Sequence, residues 1–214
     1  MYINKFRKTN GKRIDNVIDY IHDIVDIDPN VTITVGCDSV QMRRRTTYCI
    51  TIMMYDTLIR NGAHVIYFKE SVKKIKDNNQ RLGKEATYVY EVAEFLNKNL
   101  SDFYKRNDIT EYEMKKYKYH LMKCSGKYSN LSKYDEERFI NNISLLPSDI
   151  IDWKLVDIHV DFNPFTGITS EGGIKNKSYI AYKSYVPWLR GIGYRTWSKP
   201  ESYCASSAAD YLLK

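Results

Sequence analysis

Hydrophobic and polar positions along the chain change period several times, and the order of these changes predicts the architecture. Residues 12–27 carry apolar side chains at helical spacing, which predicts an amphipathic helix. The segment VTITVGCDS then alternates apolar and polar residues, as a strand with two different faces does. The runs TTYCITIMMY and AHVIYFKES predict two more strands, with a turn signal at Arg60-Asn61-Gly62 between them. Such short connections predict an antiparallel meander.

A long helix is predicted next, over residues 81–99. Leu82, Ala86, Val89, Ala93 and Leu96 form its buried stripe, and Glu85 lies at the edge of that stripe. Residues 101–150 are rich in Tyr and Lys and contain N-cap signals at Thr110 and Ser132, so they predict one or two inserted helices. Their aromatic and basic side chains either stack on nucleobases or pack in a small helical core, and the second interpretation is favoured.

The last third of the chain returns to strands and ends in a helix. WKLVDIHVDFN predicts a fourth strand, SYIAYKSYVPWL is ambiguous but favours a helix, and GIGYRTWSK predicts a fifth strand. Pro200 suits the first turn of a closing helix. We therefore expect one α/β domain over residues 1–214, with a five-stranded mixed sheet flanked by helices. Its first three strands are antiparallel, residues 1–29 form an N-terminal helical extension, and about 101–150 form a helical insertion.

Composition narrows the class of protein. Hydrophobic residues make up 43% of the chain, enough for a sizeable core. No apolar run approaches the roughly 20 residues that span a bilayer, and the basic N-terminus has no apolar stretch after it. We therefore expect no membrane partner and a cytoplasmic location. The four scattered cysteines predict reduced thiols and no zinc site.

The charge balance favours a polyanionic partner. Thirty-three basic residues against 26 acidic ones give a net charge of +7. The bases cluster near particular acids, because Arg43, Arg44 and Arg45 follow Asp38 closely, and Lys73 to Lys84 include five bases just before Glu85. A site that cuts a phosphate backbone needs this pairing, although an ordinary solvated basic surface is the alternative.

Four acidic residues lie on four different predicted elements. Asp38 lies on the first strand, Glu85 on the helix after the meander, Asp161 at the end of the fourth strand and Asp210 on the last helix. This order of elements and acids resembles that of RNase H-like nucleases. The motifs VGCDSVQ, RLGKEA, IHVDFN and SKPESYCASSAAD narrow the resemblance to the YkuK-type family of bacterial and phage predicted RNase H-like nucleases, over residues 30–100 and 150–214.

The resemblance implies a metal-dependent nuclease. Carboxylates suit hard cations, and two Mg²⁺ or Mn²⁺ ions activate water and neutralise charge on the leaving oxygen. We expect Asp38 to bridge both ions, Glu85 and Asp161 to share one ion, and Asp210 to hold the other. Crowded carboxylates should also raise one another's pKa when no metal is bound.

Other polar residues near these acids are weaker candidates. Lys199 is expected to touch the scissile phosphate, and Ser39 and Asn163 to orient water or substrate, whereas His159 is assigned a packing role. The substrate class stays open among RNA, DNA and hybrid, as does the oligomeric state. A nucleic-acid-binding protein of the same fold that does not cut is the alternative. An ATPase is disfavoured because the chain lacks a P-loop and is too short for two such domains.

Overall fold

A mixed β-sheet organises the chain. The computed structural model describes residues 2–56, 62–102, 110–126, 131–146, 153–167 and 176–214. Within these ranges the sheet has six strands in the order β1-β4-β3-β2-β5-β6. The strands are β1 (Arg7–Lys8), β2 (Val31–Gln41), β3 (Arg45–Asp56), β4 (His64–Lys73), β5 (Val156–Val160) and β6 (Thr196–Trp197).

Helices cover both faces of the sheet. They are α1 (Val17–Ile27), α2 (Asn78–Leu100), α3 (Glu111–Cys124), α4 (Lys133–Asn141), α5 (Ser178–Gly191) and α6 (Asp210–Leu213). A π-helix, Cys204–Ala209, leads directly into α6. None of the helices in the described ranges is both long and apolar enough to cross a membrane.

The predicted mixed α/β architecture is confirmed, but the strand count is wrong. Strand β3 pairs antiparallel with both β2 and β4, while β5 pairs parallel with β2 and with β6. The additional strand is β1, which pairs antiparallel with β4 and comes first along the chain. The antiparallel part of the sheet therefore begins earlier than predicted. The predicted turn at residues 60 and 61 lies outside the described residues.

The N-terminal residues contribute an edge strand as well as a helix. Helix α1 begins at Val17, later than the apolar pattern indicates, because the Asn16 side chain accepts the N–H of Ile18 as its N-cap. Ile14 fits the helical pattern, but its N–H donates to the Phe6 carbonyl at 3.0 Å across the preceding turn. Ile14 thus fits the helical spacing by position, but it lies in the turn before the helix and is not part of α1.

The described part of residues 101–150 contains two helices, where the sequence predicts one or two. Thr110 and Glu113 make a reciprocal capping box at the start of α3, and Ser132 accepts the N–H of Asp135 at the start of α4. Tyr119 packs with Ile140 and Ile143 in a small core of its own. This packing agrees with the favoured interpretation of the segment as a helical unit. Parts of the predicted insertion, at 103–109, 127–130 and 147–150, lie outside the described residues.

The end of the chain departs most from the prediction. Strand β6 has two residues, and Pro200 does not open the closing helix. The N–H of Glu201 donates to the Ser198 carbonyl at 3.0 Å, so Pro200 lies within a turn, and its peptide bond with Lys199 is cis. Helical structure starts only at Cys204 and is first π-helical. An apolar period of 3.6 residues identifies an α-helix and cannot reveal a π-helix, in which each hydrogen bond joins residues five positions apart.

Gly36 permits the closest approach between the sheet and the C-terminal segment. A Cβ at this position would lie 2.6 Å from the backbone N of Ala205 and 2.6 Å from the backbone C of Cys204. Beside it, the Thr51 hydroxyl lies 3.2 Å from the Gly36 carbonyl and 3.0 Å from that of Cys204. The sheet face that carries Gly36 and Asp38 is therefore covered by the π-helix, and the opposite face packs on α2.

Replacing Gly36 with Ala should displace the C-terminal helices. Because the obstruction is backbone, relief requires main-chain movement, and we expect a loss of about 1–3 kcal/mol in the free energy of unfolding. Gly191→Ala is the matched control, since a Cβ there meets nothing within 4 Å. Urea denaturation of both variants measures the difference. Equal stability of the two would show that the π-helix is not held against β2 as described.

Candidate active site

Glu85 is the most deeply buried of the four candidate acids. Its side chain is 2% exposed and projects from the second turn of α2, toward the end of β2. Ser39 Oγ donates to Glu85 Oε1 at 2.6 Å, and Arg81 Nη1 lies 3.1 Å from the same oxygen. The alternative of a rim glutamate that reaches solvent therefore does not describe this side chain.

Asp38 and Asp161 are neighbours across the parallel pairing of β2 and β5. Cys37 is in register with Val160, so the next residue of each strand lies beside the other, at the strand spacing of about 5 Å. Asp38 Oδ1 accepts the N–H of Ser39 at 2.7 Å. Asp161 Oδ2 pairs with Lys199 Nζ at 2.9 Å. These two acids therefore occupy one end of the sheet.

Asp210 approaches the same region from the π-helix side of the sheet, the face opposite α2. It begins α6, directly after the π-helix, and its carboxylate pairs with Lys214 at 2.6 Å. Its charge contributes to raising the pKa values of both Asp38 and Asp161. Among the described residues, however, no three His, Cys, Asp or Glu side chains are close enough together to hold one metal ion. The acids share one region, and Lys199 and Lys214 pair with two of them.

Burial, more than mutual repulsion, raises the pKa values of these carboxyls. Desolvation raises the pKa of Glu85 to about 8, with a smaller contribution from the Asp38 charge and an opposing one from the Ser39 hydroxyl. Desolvation likewise raises the pKa of Asp38 to about 6, and that of Asp161 is raised for the same principal reason. The sequence suggested repulsion among acids as the cause, but repulsion is the lesser effect.

Two buried carboxylate oxygens of the site have no hydrogen-bond partner among the described residues. They are Glu85 Oε2 and Asp161 Oδ1. An unsatisfied buried acceptor costs about 1–3 kcal/mol, and more when it is charged. Carboxylate oxygens are the ligands that Mg²⁺ and Mn²⁺ prefer, so a divalent ion bound at such an oxygen would satisfy it. The donor chemistry of this cleft therefore fits a divalent cation.

A polar cleft of about 380 Å³ connects three of the acids with cationic and amide side chains. Asp38, Glu85 and Asp161 line it together with Arg81, Lys177 and Lys199. Asn78, Asn163 and Asn176 add amide groups. Of these, Lys177, Asn78 and Asn176 were not among the sequence candidates, because an isolated Lys or Asn in a loop or at a helix start carries no distinctive pattern. The cleft thus offers anion-binding groups beside the carboxylates.

A rim of exposed bases borders the same end of the sheet. The turn between β2 and β3 holds Arg43 and Arg44, and Arg45 begins β3. Arg45 is in register with Lys73, and the N–H of Lys74 donates to the Arg44 carbonyl at 3.1 Å. Asp38 lies only a few residues before this turn, so the predicted proximity of bases and acids in sequence is also proximity in space. We call Arg43, Arg44, Arg45, Lys73 and Lys74 the basic rim.

The loop that carries Lys199 is fixed by a residue of the insertion. The N–H of Ser198 donates to His120 Nε2 at 3.3 Å, and His120 Nδ1 lies 3.0 Å from Glu201 Oε2. Both contacts are satisfied by the neutral tautomer with its proton on Nδ1. His120 is therefore a positioning residue for Lys199. The sequence did not indicate it, since its partners are 78 and 81 positions away.

His159 anchors the C-terminal helices and takes no part in the cleft. Its Nδ1 accepts the N–H of Cys204 at 3.1 Å, and burial lowers the pKa of His159 to about 3. The ring is neutral over the physiological range. This geometry agrees with the packing role assigned from the sequence. The hydrogen-bond partner of His159 belongs to the π-helix, and its ring packs against Trp197 of the neighbouring strand β6.

The comparisons with known proteins point to one superfamily. Residues 14–116 match a family model described as Ribonuclease H-like. The matched range includes Asp38 and Glu85, and the mixed sheet with helices on both faces is compatible with that fold. The match supports placement in the RNase H-like superfamily. No curated protein and no solved structure matches the chain.

Removal of divalent ions should make the stability of the protein fall as pH rises. The folded-state pKa of Glu85 is raised from its ordinary value of 4.5 to about 8. The folded state therefore binds this proton more tightly than the unfolded chain. The stabilisation is complete below about pH 4.5 and is lost as pH rises towards 8. Thermal unfolding in EDTA between pH 5 and 8.5 should show this loss, and Glu85→Gln should flatten the profile.

Added Mg²⁺ should reverse this trend. Metal binding requires deprotonated ligands, so the gain in thermal stability from Mg²⁺ should grow with pH. In Glu85→Gln this gain should shrink. An identical pH profile in the parent and Glu85→Gln, with and without Mg²⁺, would show that the Glu85 carboxyl does not titrate as described.

Proposed function

We propose that the protein is a metal-dependent nuclease of the YkuK type, which hydrolyses phosphodiester bonds in nucleic acid in the cytoplasm. The observation that carries this proposal is the pair of unpartnered buried oxygens, Glu85 Oε2 and Asp161 Oδ1, beside Asp38 in a cleft that also holds cations. A purely structural role for these acids does not account for two unsatisfied acceptors in one place. The superfamily match favours the same chemistry.

The acidic side chains of such a site would bind metal, and a neighbouring hydroxyl would orient one of them. Asp38, Glu85, Asp161 and Asp210 would supply the carboxylate oxygens that hold the divalent ions. When bound, the ions supply an activated water and neutralise charge on the leaving oxygen. Ser39 fixes the orientation of the Glu85 carboxylate through its hydroxyl.

The cationic groups of the cleft would bind the substrate backbone. Lys199 lies 2.9 Å from Asp161, so its ammonium group can contact a phosphate held beside that acid. Asn163 lines the same cleft and can donate to a phosphate or sugar oxygen. The basic rim would hold the backbone further along the strand. These contacts orient the phosphodiester without selecting a base sequence.

Replacing Asp38 with Asn should abolish cleavage while leaving the fold intact. The change keeps the shape of the side chain and removes the charge that holds metal, so we expect cleavage to fall by orders of magnitude. Folding should survive, because desolvation penalises the charged form of this carboxyl. The assay is cleavage of a mixture of labelled RNA, DNA and hybrid substrates with Mg²⁺ or Mn²⁺.

The control for this variant must remove one carboxylate elsewhere. Asp157 is unsuitable, although it lies on the same strand as the site, because it accepts from Arg195 at 2.8 Å and from Trp197 at 3.1 Å in the core. Asp23→Asn on α1 removes an exposed charge and should cut like the parent. If the Asp38 variant also cuts like the parent, the proposed metal site at Asp38 is wrong. If the parent binds nucleic acid but cuts none of these substrates, the protein is better described as a nucleic-acid-binding module.

Neutralising the basic rim should weaken nucleic-acid binding and reduce its salt dependence. The triple change of Arg43, Arg44 and Arg45 to Ala should lower the slope of log affinity against log salt by about 0.7–0.9 for each phosphate that the rim no longer neutralises. A matched triple change of Lys98, Lys133 and Arg138 to Ala removes the same charge from exposed helical positions. Fluorescence anisotropy across a salt series measures both. Equal slopes for the two triple variants would contradict a backbone-binding role for the rim.

A further inference from the structure

A second cleft adjoins the acid-lined one and differs from it in chemistry. It has a volume of about 400 Å³, and its walls are mainly apolar. It is lined by Asn163, Pro164, Phe165, Lys199, Pro200 and Ser206. Asn163 and Lys199 also line the acid-lined cleft, so the two clefts share a wall. Any strand whose phosphate contacts Lys199 therefore passes next to this apolar surface.

Phe165 is an exposed aromatic residue held in a fixed position. The residue is 37% exposed, so part of its ring is accessible to a ligand. Its N–H donates to Asn163 Oδ1 at 2.9 Å, and its carbonyl accepts from Asn176 Nδ2 at 2.8 Å. The N–H of Asn163 in turn donates to Ser178 Oγ at 3.1 Å. The backbone of Phe165 is thus tied to the start of α5.

We propose that this second cleft, which we call the Phe165 platform, binds the base of an unpaired nucleotide next to the scissile phosphate. A flat apolar surface beside a cation matches a nucleotide, which joins a flat ring to a phosphate. Base–aromatic stacking is tolerant of sequence and needs a free face of the base. A base inside a continuous duplex has both faces covered by its neighbours. The proposal rests on the proposed nuclease function and specifies its substrate as single-stranded nucleic acid or a single-stranded segment.

The arrangement of the two clefts gives the platform a positioning role. Lys199 lies on the shared wall and contacts Asp161, so a base stacked on Phe165 would fix the adjacent phosphate near the carboxylates. Stacking would then restrict the freedom of an otherwise flexible strand at the site of reaction. Phe165 itself would contact no reacting atom. It orients the substrate by binding its base.

The test measures binding to short oligonucleotides by anisotropy, at low salt with EDTA so that no strand is cut. Phe165→Ala should weaken single-strand binding by about 5- to 150-fold, the usual effect of removing one stacked base. It should leave binding of a blunt continuous duplex within about twofold of the parent. Phe165→Trp should bind single strands as the parent does. Tyr134→Ala, which removes an exposed aromatic residue from α4, is the control and should bind like the parent.

An abasic position in the oligonucleotide locates the stacking interaction. We would place the abasic position at each nucleotide in turn. At one position it should weaken binding to the parent protein. At that position it should not weaken binding to Phe165→Ala any further, because both changes remove the same stacking interaction. If the parent binds and cuts nucleic acid but Phe165→Ala binds single strands equally well, or the abasic effect persists in it, the platform is wrong and the nuclease proposal stands. If the parent binds no nucleic acid at low salt, both fail.

Discussion

The burial of the Glu85 carboxyl is the constraint on which the candidate site depends. A carboxyl that is 2% exposed loses its hydration, and the protein replaces only part of it through Ser39 and Arg81. The remaining oxygen, Oε2, has no hydrogen-bond partner among the described residues, and Asp38 and Asp161 line the same cleft as Glu85 and add further negative charge. Such an arrangement favours a proton or a cation. The raised pKa of Glu85 and the proposed metal site are therefore two consequences of the same burial.

The sheet brings the other acids to this point through two different contacts. The parallel register of β2 with β5 places Asp38 beside Asp161, because each follows a paired residue. Asp210 instead depends on the fit of the π-helix over Gly36, with Thr51 and His159 bonded to the backbone of Cys204. These anchors are uncharged. They can hold the C-terminal helices close to β2 without adding a charge that would compete with the carboxylates.

Much of this architecture could be predicted from local patterns in the sequence. The three long strands β2, β3 and β4 and the helix with Glu85 have apolar patterns that match their structure, and the favoured helix in the ambiguous segment is present as Ser178–Gly191. What the sequence did not reveal depends on contacts between distant residues. Strand β1 is too short to have a period, and the His120–Glu201 contact joins residues 81 positions apart.

The proposed roles of the candidate acids illustrate the same limit. Their elements could be anticipated, but the complete burial of Glu85 could not, because helical spacing places it only at the edge of the apolar stripe. Asp157 is the converse case. Strand alternation gives it no distinguishing feature, yet the buried Arg195 guanidinium lies 2.7 Å from its Oδ2. An acid on a strand can form an ion pair in the core or line a cleft. Which of the two it does depends on the residue that contacts it from another part of the chain.

The ion pairs around the cleft differ in how easily they can be exchanged. Lys199 is 43% exposed and Asp161 is 20% exposed, and a pair open to water contributes only about 0–1 kcal/mol to stability. A metal ion on Asp161 could therefore release Lys199 towards a phosphate at little cost. Arg81, by contrast, is 18% exposed, contacts a carboxyl that is 2% exposed, and is held by Ser39 and Asn78 as well. Arg81 is thus a fixed part of the cleft, whereas Lys199 can change partner, as the proposed phosphate contact requires.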